Sequence, residues 1–381
     1  MQPTSSHPVE GGADAAGPID RYAASGVDTA AGDTAVELMK RSVAATHGPQ
    51  VLGGVGGFAG LWDASALTRY RKPVLATSTD GVGTKIAIAQ ALDKHDTIGQ
   101  DLVGMVVDDI VVVGAAPLFM TDYIACGRVV PERIATIVDG IARACAATRT
   151  ALVGGETAEH PDLMAPDDYD VAGAAVGVVE ADRLLGADRV RDGDAVLALA
   201  SSGLHSNGYS LVRRIVRDAG LRWDTRIGDY GTSLGEALLE PTRLYTADLL
   251  DVLDGPHGGA VHALGHVTGG GLAANLARVL PQGVRVDLDR GTWTPAPVFT
   301  VLAELGGFPL EEVEGAWNLG IGMFAVVADD EADAVAAALT TGGIRTWRVG
   351  VVTTGEAPAD AVRGAKGVDG GAVRLVGAYA G

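Results

Sequence analysis

The sequence predicts a two-domain protein of mixed α and β structure, in the α/β or α+β class. Its 381 residues exceed the size of one average domain. Short runs rich in valine and alanine alternate with amphipathic segments of helical length, and glycine-rich turns separate them. This alternation predicts two successive domains, each with its own sheet and helices.

Breaks in the pattern divide the chain into four parts. Residues 1–20 contain neither a basic nor an apolar region, which is typical of a disordered tail and not of a signal peptide. A first domain is predicted for residues 21–182, and the turn-rich stretch from Ala181 to Asp194 marks the boundary. A second domain is predicted for residues 183–352. Residues 353–381 are polar and glycine-rich and are expected to form a C-terminal extension.

Individual elements follow from apolar periodicity and from the turns that bound each segment. In the first domain, helices are predicted in AVELMKRSVAAT and over 98–113 and 132–147, and strands over 74–79, 118–125, 151–154 and 171–180. In the second domain, strands are predicted over 195–201, 284–288, 321–327 and 346–351, and helices over 209–216, 244–253, 272–280 and 332–339.

The bulk composition excludes some partners. A formal net charge of −19 argues against nucleic acid or an anionic membrane as the ligand. No stretch is long and apolar enough to predict a membrane span. The two cysteines show no disulfide or metal-binding spacing. We therefore expect a cytoplasmic protein that binds anions through glycine-rich loops, helix N-termini and a few basic residues.

The predicted helix over 98–113 is apolar on all sides, yet it carries three aspartates. A helical projection places Asp109 inside the most apolar stripe, and it places Asp101 and Asp108 side by side along one edge. An unpaired buried carboxylate is costly, and a bound cation would remove that cost. The helix alone leaves two interpretations equally open: a cation site, or carboxylates satisfied by backbone amides or an arginine.

Two glycine-rich strings in the first domain are candidates for ligand binding. In STDGVGTK, over 78–85, Asp80 could hold a cation and Lys85 could neutralise a phosphate, although the spacing is not that of a Walker A loop. Taken alone, this string slightly favours an ordinary glycine turn with a solvated lysine. In GGETAEH, over 154–160, Glu156 follows two glycines and could bind a cation, or the string could begin a helical turn.

Two further strings lie in the second domain. SSGLHSNGY, over 201–209, lies between a predicted strand and a predicted helix and exposes small polar groups that suit an anion. His205 could move a proton there, although a lone histidine is more often structural. HVTGGGLAAN, over 266–275, places three consecutive glycines before a helix, which favours close approach of the backbone to a ligand over a flexible linker.

Taken together and in this order, the motifs resemble the phosphoribosylformylglycinamidine cyclo-ligase (AIR synthetase) family. The resemblance extends from about residue 22 to 350 and rests on TDGVGTK, IGQDLVGMVVDDIVVVGAAPLFMTDY, GGETAEH, YDVAGAAVGVVE, SSGLHSNGYSLVR, LLEPTRLY, HVTGGGLAANLARVLP and NLGIGM. Asp109 to Pro117 also resembles the Asp-x₄-Gly-Ala-x-Pro signature of a wider ATP-binding superfamily. FGAM synthase, selenophosphate synthetase and thiamine-phosphate kinase share that signature.

The resemblance implies a two-domain AIR-synthetase-like fold, with an N-terminal sheet domain that dimerises and a C-terminal α/β domain. It also implies a reaction in which ATP and formylglycinamidine ribonucleotide (FGAM) give aminoimidazole ribonucleotide (AIR), ADP and phosphate. Magnesium would be the cofactor, and a monovalent cation is left open. The expected partners are these small molecules and a second copy of the chain, without nucleic acid or membrane.

The resemblance also implies roles for residues of the matching motifs. The residues expected to take part in catalysis are Lys85, Asp109 and His205. Those expected to bind ATP or phosphate are Asp80, Gly81, Gly83, Thr84, Lys85, Gly154 and Gly155. Those expected to bind substrate are Ser206, Asn207, Gly269, Gly270, Gly271 and Asn318. Those expected to hold Mg²⁺ are Asp80, Asp109 and Glu156, with Asp101 or Asp108 assisting.

The chain departs from the family pattern at three places. Asp108 stands where relatives typically have asparagine, His160 where they usually have methionine, and Trp317 in place of a common Thr-Phe pair. The competing interpretations are FGAM synthase, thiamine-phosphate kinase, and a nucleotide-binding regulatory module without turnover. The C-terminal strings HSNGYSLVR and HVTGGG favour the cyclo-ligase.

Overall fold

A computed structural model describes residues 28–54, 56–227 and 231–380, so the predicted tail over 1–20 lies outside the described residues. Its α-helices are α1 Thr29–Ala44, α2 Ile86–Leu92, α3 Ile98–Val111, α4 Pro131–Ala147, α5 Tyr209–Asp218, α6 Leu234–Leu238, α7 Thr246–Asp254, α8 Gly271–Ala277, α9 Pro297–Gly306 and α10 Ala332–Thr341. Its strands are β1 Val51–Leu52, β2 Leu61–Trp62, β3 Pro73–Gly81, β4 Ala116–Cys126, β5 Ala151–Glu159, β6 Tyr169–Glu180, β7 Ala195–Ala200, β8 Val261–His266, β9 Val284–Asp289, β10 Ile321–Val327, β11 Thr346–Thr354, β12 Val362–Ala365 and β13 Val368–Val376.

The first domain contains a four-stranded sheet in the order β3-β6-β4-β5, in which only the β4–β5 pair is parallel. Helices α1, α3 and α4 pack together, and contacts of α1 and α4 with β5 and of α3 with β3 and β6 cover one face. On the other face the side chains of Leu75 and Tyr123 are exposed, to 59% and 40%. The sheet therefore has one buried face and one open face with large apolar side chains on it.

Strand β5 extends further than its sequence predicts. The prediction ends at Gly154, whereas the strand continues through Glu159. Pairing with β4 runs along this whole segment, from Ala151 opposite Phe119 to Glu159 opposite Cys126. The backbone hydrogen bonds to β4 thus outweigh the poor strand propensity of two glycines.

The second domain contains a seven-stranded sheet in the order β12-β13-β9-β11-β7-β10-β8, antiparallel except for the β13–β9 pair. Strands β12 and β13 lie in the stretch predicted as a C-terminal extension, and they pair within this sheet. Glycine is needed there for close packing, because a Cβ atom on Gly370 would overlap the Ala277 carbonyl oxygen of α8. The boundaries at residues 20 and 182 stay predictions.

Helix α3 lies between the first sheet and the second domain. Gln100 and Asp109 are the two of its 14 residues that are not buried. The expectation that Asp109 lies within the buried stripe is therefore wrong; Asp101 and Asp108 are the buried carboxylates. The sequence of a helix that is apolar on all sides does not show which of its residues stay exposed, because this depends on how the helix packs against the two domains.

The structure contains mixed helix and sheet in two layered units, which confirms the predicted fold class. Within the described ranges, every helix is too short or too polar to cross a membrane.

Candidate active site at the domain boundary

Asp109 and His266 form the central pair of the site. Asp109 projects from α3 of the first domain, and His266 ends β8 of the second. His266 Nδ1 lies 2.9 Å from Asp109 Oδ1; the histidine side chain is 3% exposed and the aspartate side chain 43%. The site is thus built from both domains, with its carboxylate turned towards solvent.

The two groups of this pair favour each other's charged forms. Burial alone would raise the pKa of Asp109, but the hydrogen bond and charge of His266, helped by Arg278 and Lys366, lower that pKa overall. Burial alone would lower the pKa of His266, but the hydrogen bond and charge of Asp109 raise it overall. We expect a carboxylate and an imidazolium in the ligand-free protein near pH 6.

Asp80 lies close enough to interact electrostatically with this pair. It sits near the end of β3, where its Oδ1 accepts a hydrogen bond of 2.7 Å from the Gly81 amide. Burial raises the pKa of Asp80, and the charge of Asp109 adds to the rise. Two repelling carboxylates open to solvent are suited to hold a divalent cation that arrives with phosphate oxygens.

The described ranges contain no cluster of three or more His, Cys, Asp or Glu side chains that could hold a metal ion alone. A cation carried by a nucleotide needs only one or two carboxylates. Asp80 and Asp109 fit that requirement, because both are partly accessible and neither forms a salt bridge to Lys or Arg within the described part of the chain.

Lys85 and Asp101, both expected near the phosphates, are fully buried in an ion pair. Lys85 Nζ lies 2.8 Å from Asp101 Oδ1 and donates to the Glu240 carbonyl oxygen at 2.7 Å. The same Asp101 oxygen accepts hydrogen bonds of 2.8 Å from the amide and from the hydroxyl of Thr242. Neither side chain reaches solvent in this structure, and their expected roles towards phosphate and Mg²⁺ stay predictions.

Asp108 also binds the second domain, and its expected role in holding Mg²⁺ stays a prediction. Its carboxylate accepts hydrogen bonds from the Tyr245 and Thr246 amides and, at 2.7 Å, from the Thr246 hydroxyl. These donors lie at the beginning of α7, whose positive end favours a carboxylate. Asp108 therefore caps a helix of the other domain from within the interface.

His205 is buried beneath the loop that carries it. Its backbone has a φ of +61°, and its Nε2 accepts a hydrogen bond from the Ser202 amide at 3.3 Å. Burial holds the pKa of His205 well below its usual value, so the ring is neutral. Its Nδ1 is buried and unpaired among the residues described.

The remaining residues that are expected to bind the substrate either support this loop or lie next to it. Asn318 donates to the Gly203 carbonyl oxygen at 2.8 Å, and Ser206 Oγ lies 3.3 Å from Thr242 Oγ1. A Cβ atom on Gly269 would lie 3.5 Å from Asn207 Oδ1, so the TGGG and HSNG loops are neighbours. Gly270 and Gly271 have φ values of +106° and +70°, which glycine adopts freely. The structure thus brings these two loops together.

Gly81 is the last residue of β3, and Gly83 and Thr84 lie in the turn between β3 and α2. Gly83 has a φ of +71°, and Thr84 Oγ1 lies 3.3 Å from Ser210 Oγ of α5. The TDGVGTK turn of the first domain therefore lies against the helix that follows the HSNG loop.

Glu156 and the adjoining Gly154 and Gly155 lie elsewhere. Asp80 of β3 lies opposite Gly173 of β6, which lies opposite Asp122 of β4. Asp122 in turn lies opposite Gly155 of β5. Three strand spacings of about 4.8 Å put Gly155 about 14 Å from Asp80. Within one chain, Glu156 therefore does not join the Asp80–Asp109 pair.

Gly154, Gly155 and Glu156 line a separate cavity with a volume of ≈ 700 Å³, and Asp122 is a further residue of its wall. Asp122 is buried, and burial raises its pKa to about 7. A Cβ atom on Gly155 would overlap Asp122 Oδ1, so glycine is required beside this carboxyl group.

Sequence reasoning missed three charged residues at these places: His266, Lys366 and Asp122. His266 directly precedes VTGGG, and a polar residue between a strand and a glycine loop is a detectable signal. Lys366 is one of only five lysines, and it lies in the turn between β12 and β13, where its charge acts on both Asp80 and Asp109. Asp122 gives no such signal within an apolar strand.

Two family models match the chain. The model described as AIR synthase related protein, N-terminal domain, matches residues 62–179, and the corresponding C-terminal domain matches residues 191–361. Fold and site together define a two-domain protein of the AIR-synthase-related class.

Curated relatives narrow this class. A phosphoribosylformylglycinamidine cyclo-ligase of Thermosynechococcus vestitus is 50% identical over 338 residues, covering 88% of this chain and 96% of that protein. The enzyme of the same name from Geobacillus kaustophilus is 48% identical over 335 residues, with 88% and 96% covered. The chain belongs to the phosphoribosylformylglycinamidine cyclo-ligase family, which confirms the resemblance seen in its motifs.

Solved structures agree on the fold. Thiamine-monophosphate kinase from Stenotrophomonas maltophilia has a TM-score of 0.64 at 20% identity, with 91% of this chain and 97% of that chain covered. The hydrogenase maturation protein HypE in complex with ATP has a TM-score of 0.60 at 20% identity, with 91% and 94% covered. At this identity the likeness shows a shared fold alone.

Proposed function

We propose that this chain catalyses the ATP-dependent cyclisation of FGAM to AIR, with release of ADP and phosphate, in purine biosynthesis. The observation that carries the proposal is the pair of accessible carboxylates, Asp80 and Asp109, set against His266 at the domain boundary in a chain of this family. The cytoplasmic location expected from the sequence is part of the proposal.

The reaction has two steps. The γ-phosphoryl group of ATP moves to the formyl amide oxygen of FGAM, which releases ADP and converts a poor leaving group into a phosphate. An amidine nitrogen of the same molecule then attacks the carbon; the C–N bond forms, the C–O bond breaks, phosphate leaves and the nitrogen loses a proton. Ring closure is intramolecular, so the protein contributes mainly by fixing geometry and neutralising charge.

Asp80 and Asp109 would hold Mg²⁺ against the ATP phosphates, where the ion supplies positive charge for phosphoryl transfer. His266 keeps Asp109 ionised and oriented through its hydrogen bond. The adjoining loops that contain Asn207 and Gly269 would bind the substrate through backbone amides and small polar groups. His205, neutral and buried, supports its loop from below.

We also propose that the chain forms a homodimer through the open face of its first sheet. Leu75 and Tyr123 are both exposed on that face, and large exposed apolar groups mark interaction surfaces. Sedimentation velocity should show a dimer for the native protein and a monomer for Leu75→Glu. Leu38→Glu, which changes an exposed leucine of α1, should leave the dimer intact.

Activity is tested with purified protein, ATP, Mg²⁺ and FGAM. We expect ADP and AIR in equal amounts and no ADP when FGAM is omitted. Phosphorylation of thiamine monophosphate under the same conditions would support the kinase alternative instead. Nucleotide binding without turnover of either substrate would favour a regulatory module and overturn the proposed function.

A further inference from the structure

The segment over residues 240–246, EPTRLYT, lies at the centre of the interface between the domains. It connects α6 to α7 in the second domain. Helix α3 binds it twice, because Asp101 accepts hydrogen bonds from Thr242 and Asp108 accepts hydrogen bonds from Thr246. Gln100 adds a hydrogen bond of 2.8 Å to the Thr242 carbonyl oxygen.

Lys85 reaches the same segment from the TDGVGTK turn. Its ammonium group contacts Asp101 Oδ1 and the Glu240 carbonyl oxygen, and it lies 5.7 Å from the centre of the Tyr209 ring. Its side chain is 0% exposed. The ammonium is therefore surrounded by protein groups, which is the opposite of what a lysine that receives a phosphate requires.

The segment also holds the HSNG loop. Ser202 Oγ donates to the Pro241 carbonyl oxygen at 2.6 Å, and Ser206 Oγ lies 3.3 Å from Thr242 Oγ1. One short stretch of backbone thus contacts the turn that follows Asp80, the helix that carries Asp109, and the loop that precedes α5.

We propose that Lys85 and Asp101 are positioning residues: their buried ion pair fastens the 240–246 segment to the first domain and so sets the geometry of the site between the domains. This inference rests on the proposed cyclo-ligase activity. Neither residue contacts phosphate or metal in the reaction. Lys85 instead aligns the Asp80 turn, and Asp101 aligns the HSNG loop through Thr242.

The test is a double-mutant cycle of Lys85→Met, Asp101→Asn and the two combined. Breaking a buried ion pair from one side leaves an unpaired charge, whereas removing both charges does not. We expect each single variant to lower kcat about tenfold or more while the KM for ATP stays within about threefold. The double variant should recover kcat and Tm relative to Lys85→Met, because the introduced amide oxygen would still accept the Thr242 hydrogen bonds.

The exposed pair Lys94–Asp96 provides a matched control. Lys94 Nζ lies 3.1 Å from Asp96 Oδ1, but the two side chains are 41% and 52% exposed. The corresponding cycle of Lys94→Met and Asp96→Asn should change kcat and Tm little. A difference between the two cycles isolates the effect of the buried position.

Three results would overturn the inference. The first is a KM for ATP that rises about tenfold or more in Lys85→Met and stays equally high in the double variant, since this is the result expected for a phosphate-binding lysine. Another is a double variant as unstable as the single variants. The third is unchanged kcat in both single variants. Absence of turnover in the native protein would refute the proposed function, while the Tm cycle would still measure the coupling between the two residues.

Discussion

His266 Nδ1 lies 2.9 Å from Asp109 Oδ1, and this contact joins the end of β8 in the second domain to α3 in the first. The imidazole is buried, while the carboxylate keeps a solvent-exposed side. Because each group favours the charged form of the other, Asp109 is already ionised where a nucleotide-borne cation would meet it.

Asp109→Asn should lower kcat about 100-fold or more and change the free energy of unfolding by about 1 kcal/mol or less. The amide keeps the shape of the side chain but removes the charge that would hold the cation. Steady-state kinetics and urea denaturation check both values. Normal kcat with a large loss of stability would assign Asp109 a purely structural role.

The same substitution should lower the pKa of His266, which NMR titration of its imidazole can measure. In the native protein this pKa is raised, because the hydrogen bond and charge of Asp109 outweigh burial. Stability from the protonated ring is therefore present below about pH 6.5 and is lost as pH rises through the folded-state pKa. The imidazole signal of His257, which pairs with Glu331, should be unaffected by the substitution and serves as the internal control.

Asp108→Asn should stabilise the protein relative to the native chain, and it should do so more at pH 7 than at pH 4. Burial raises the pKa of Asp108 from 3.8 to about 6, against the hydrogen bonds from Thr246 and Tyr245. Between those two pKa values the unfolded chain releases the proton while the folded chain keeps it, so native stability falls as pH rises. Asparagine removes this dependence.

Urea denaturation from pH 4 to pH 7 measures the effect. The gain of Asp108→Asn over the native protein should grow by about 2 kcal/mol across that range, given about 1.4 kcal/mol per pKa unit. A gain independent of pH would show that Asp108 is ionised in the folded protein throughout.

Lys366→Met should raise the KM for ATP by about threefold to tenfold and leave kcat nearly unchanged. The turn between β12 and β13 carries Lys366 to a position where its charge acts on both Asp80 and Asp109. Such a charge would attract phosphate but would not orient the reacting groups. If Lys366→Met and the exposed control Lys94→Met have equal kcat and KM values, Lys366 does not contribute to ATP binding.

Much of the fold follows from local sequence. The alternating pattern of β3 and the amphipathic pattern of α4 predicted these elements to within about two residues, because a half-buried strand and a surface helix each carry their own periodicity. Strand β5 was predicted too short, since its second half depends on pairing with β4. Local sequence does not predict that β12 and β13 join the sheet of the second domain, since Gly370 of β13 packs against α8 only in the folded chain.

The sequence by itself determined the family, the two-domain class and the set of motifs from which the site is built. Only the tertiary structure decided which charged residues face solvent. Asp101, Asp108 and Asp109 lie on one helix, yet the first two bind backbone and hydroxyl groups of the other domain and the third stays accessible. The reason is physical: a carboxylate is buried where hydrogen-bond donors compensate its desolvation, and apart from Lys85 these donors come from a segment more than 130 residues away in sequence.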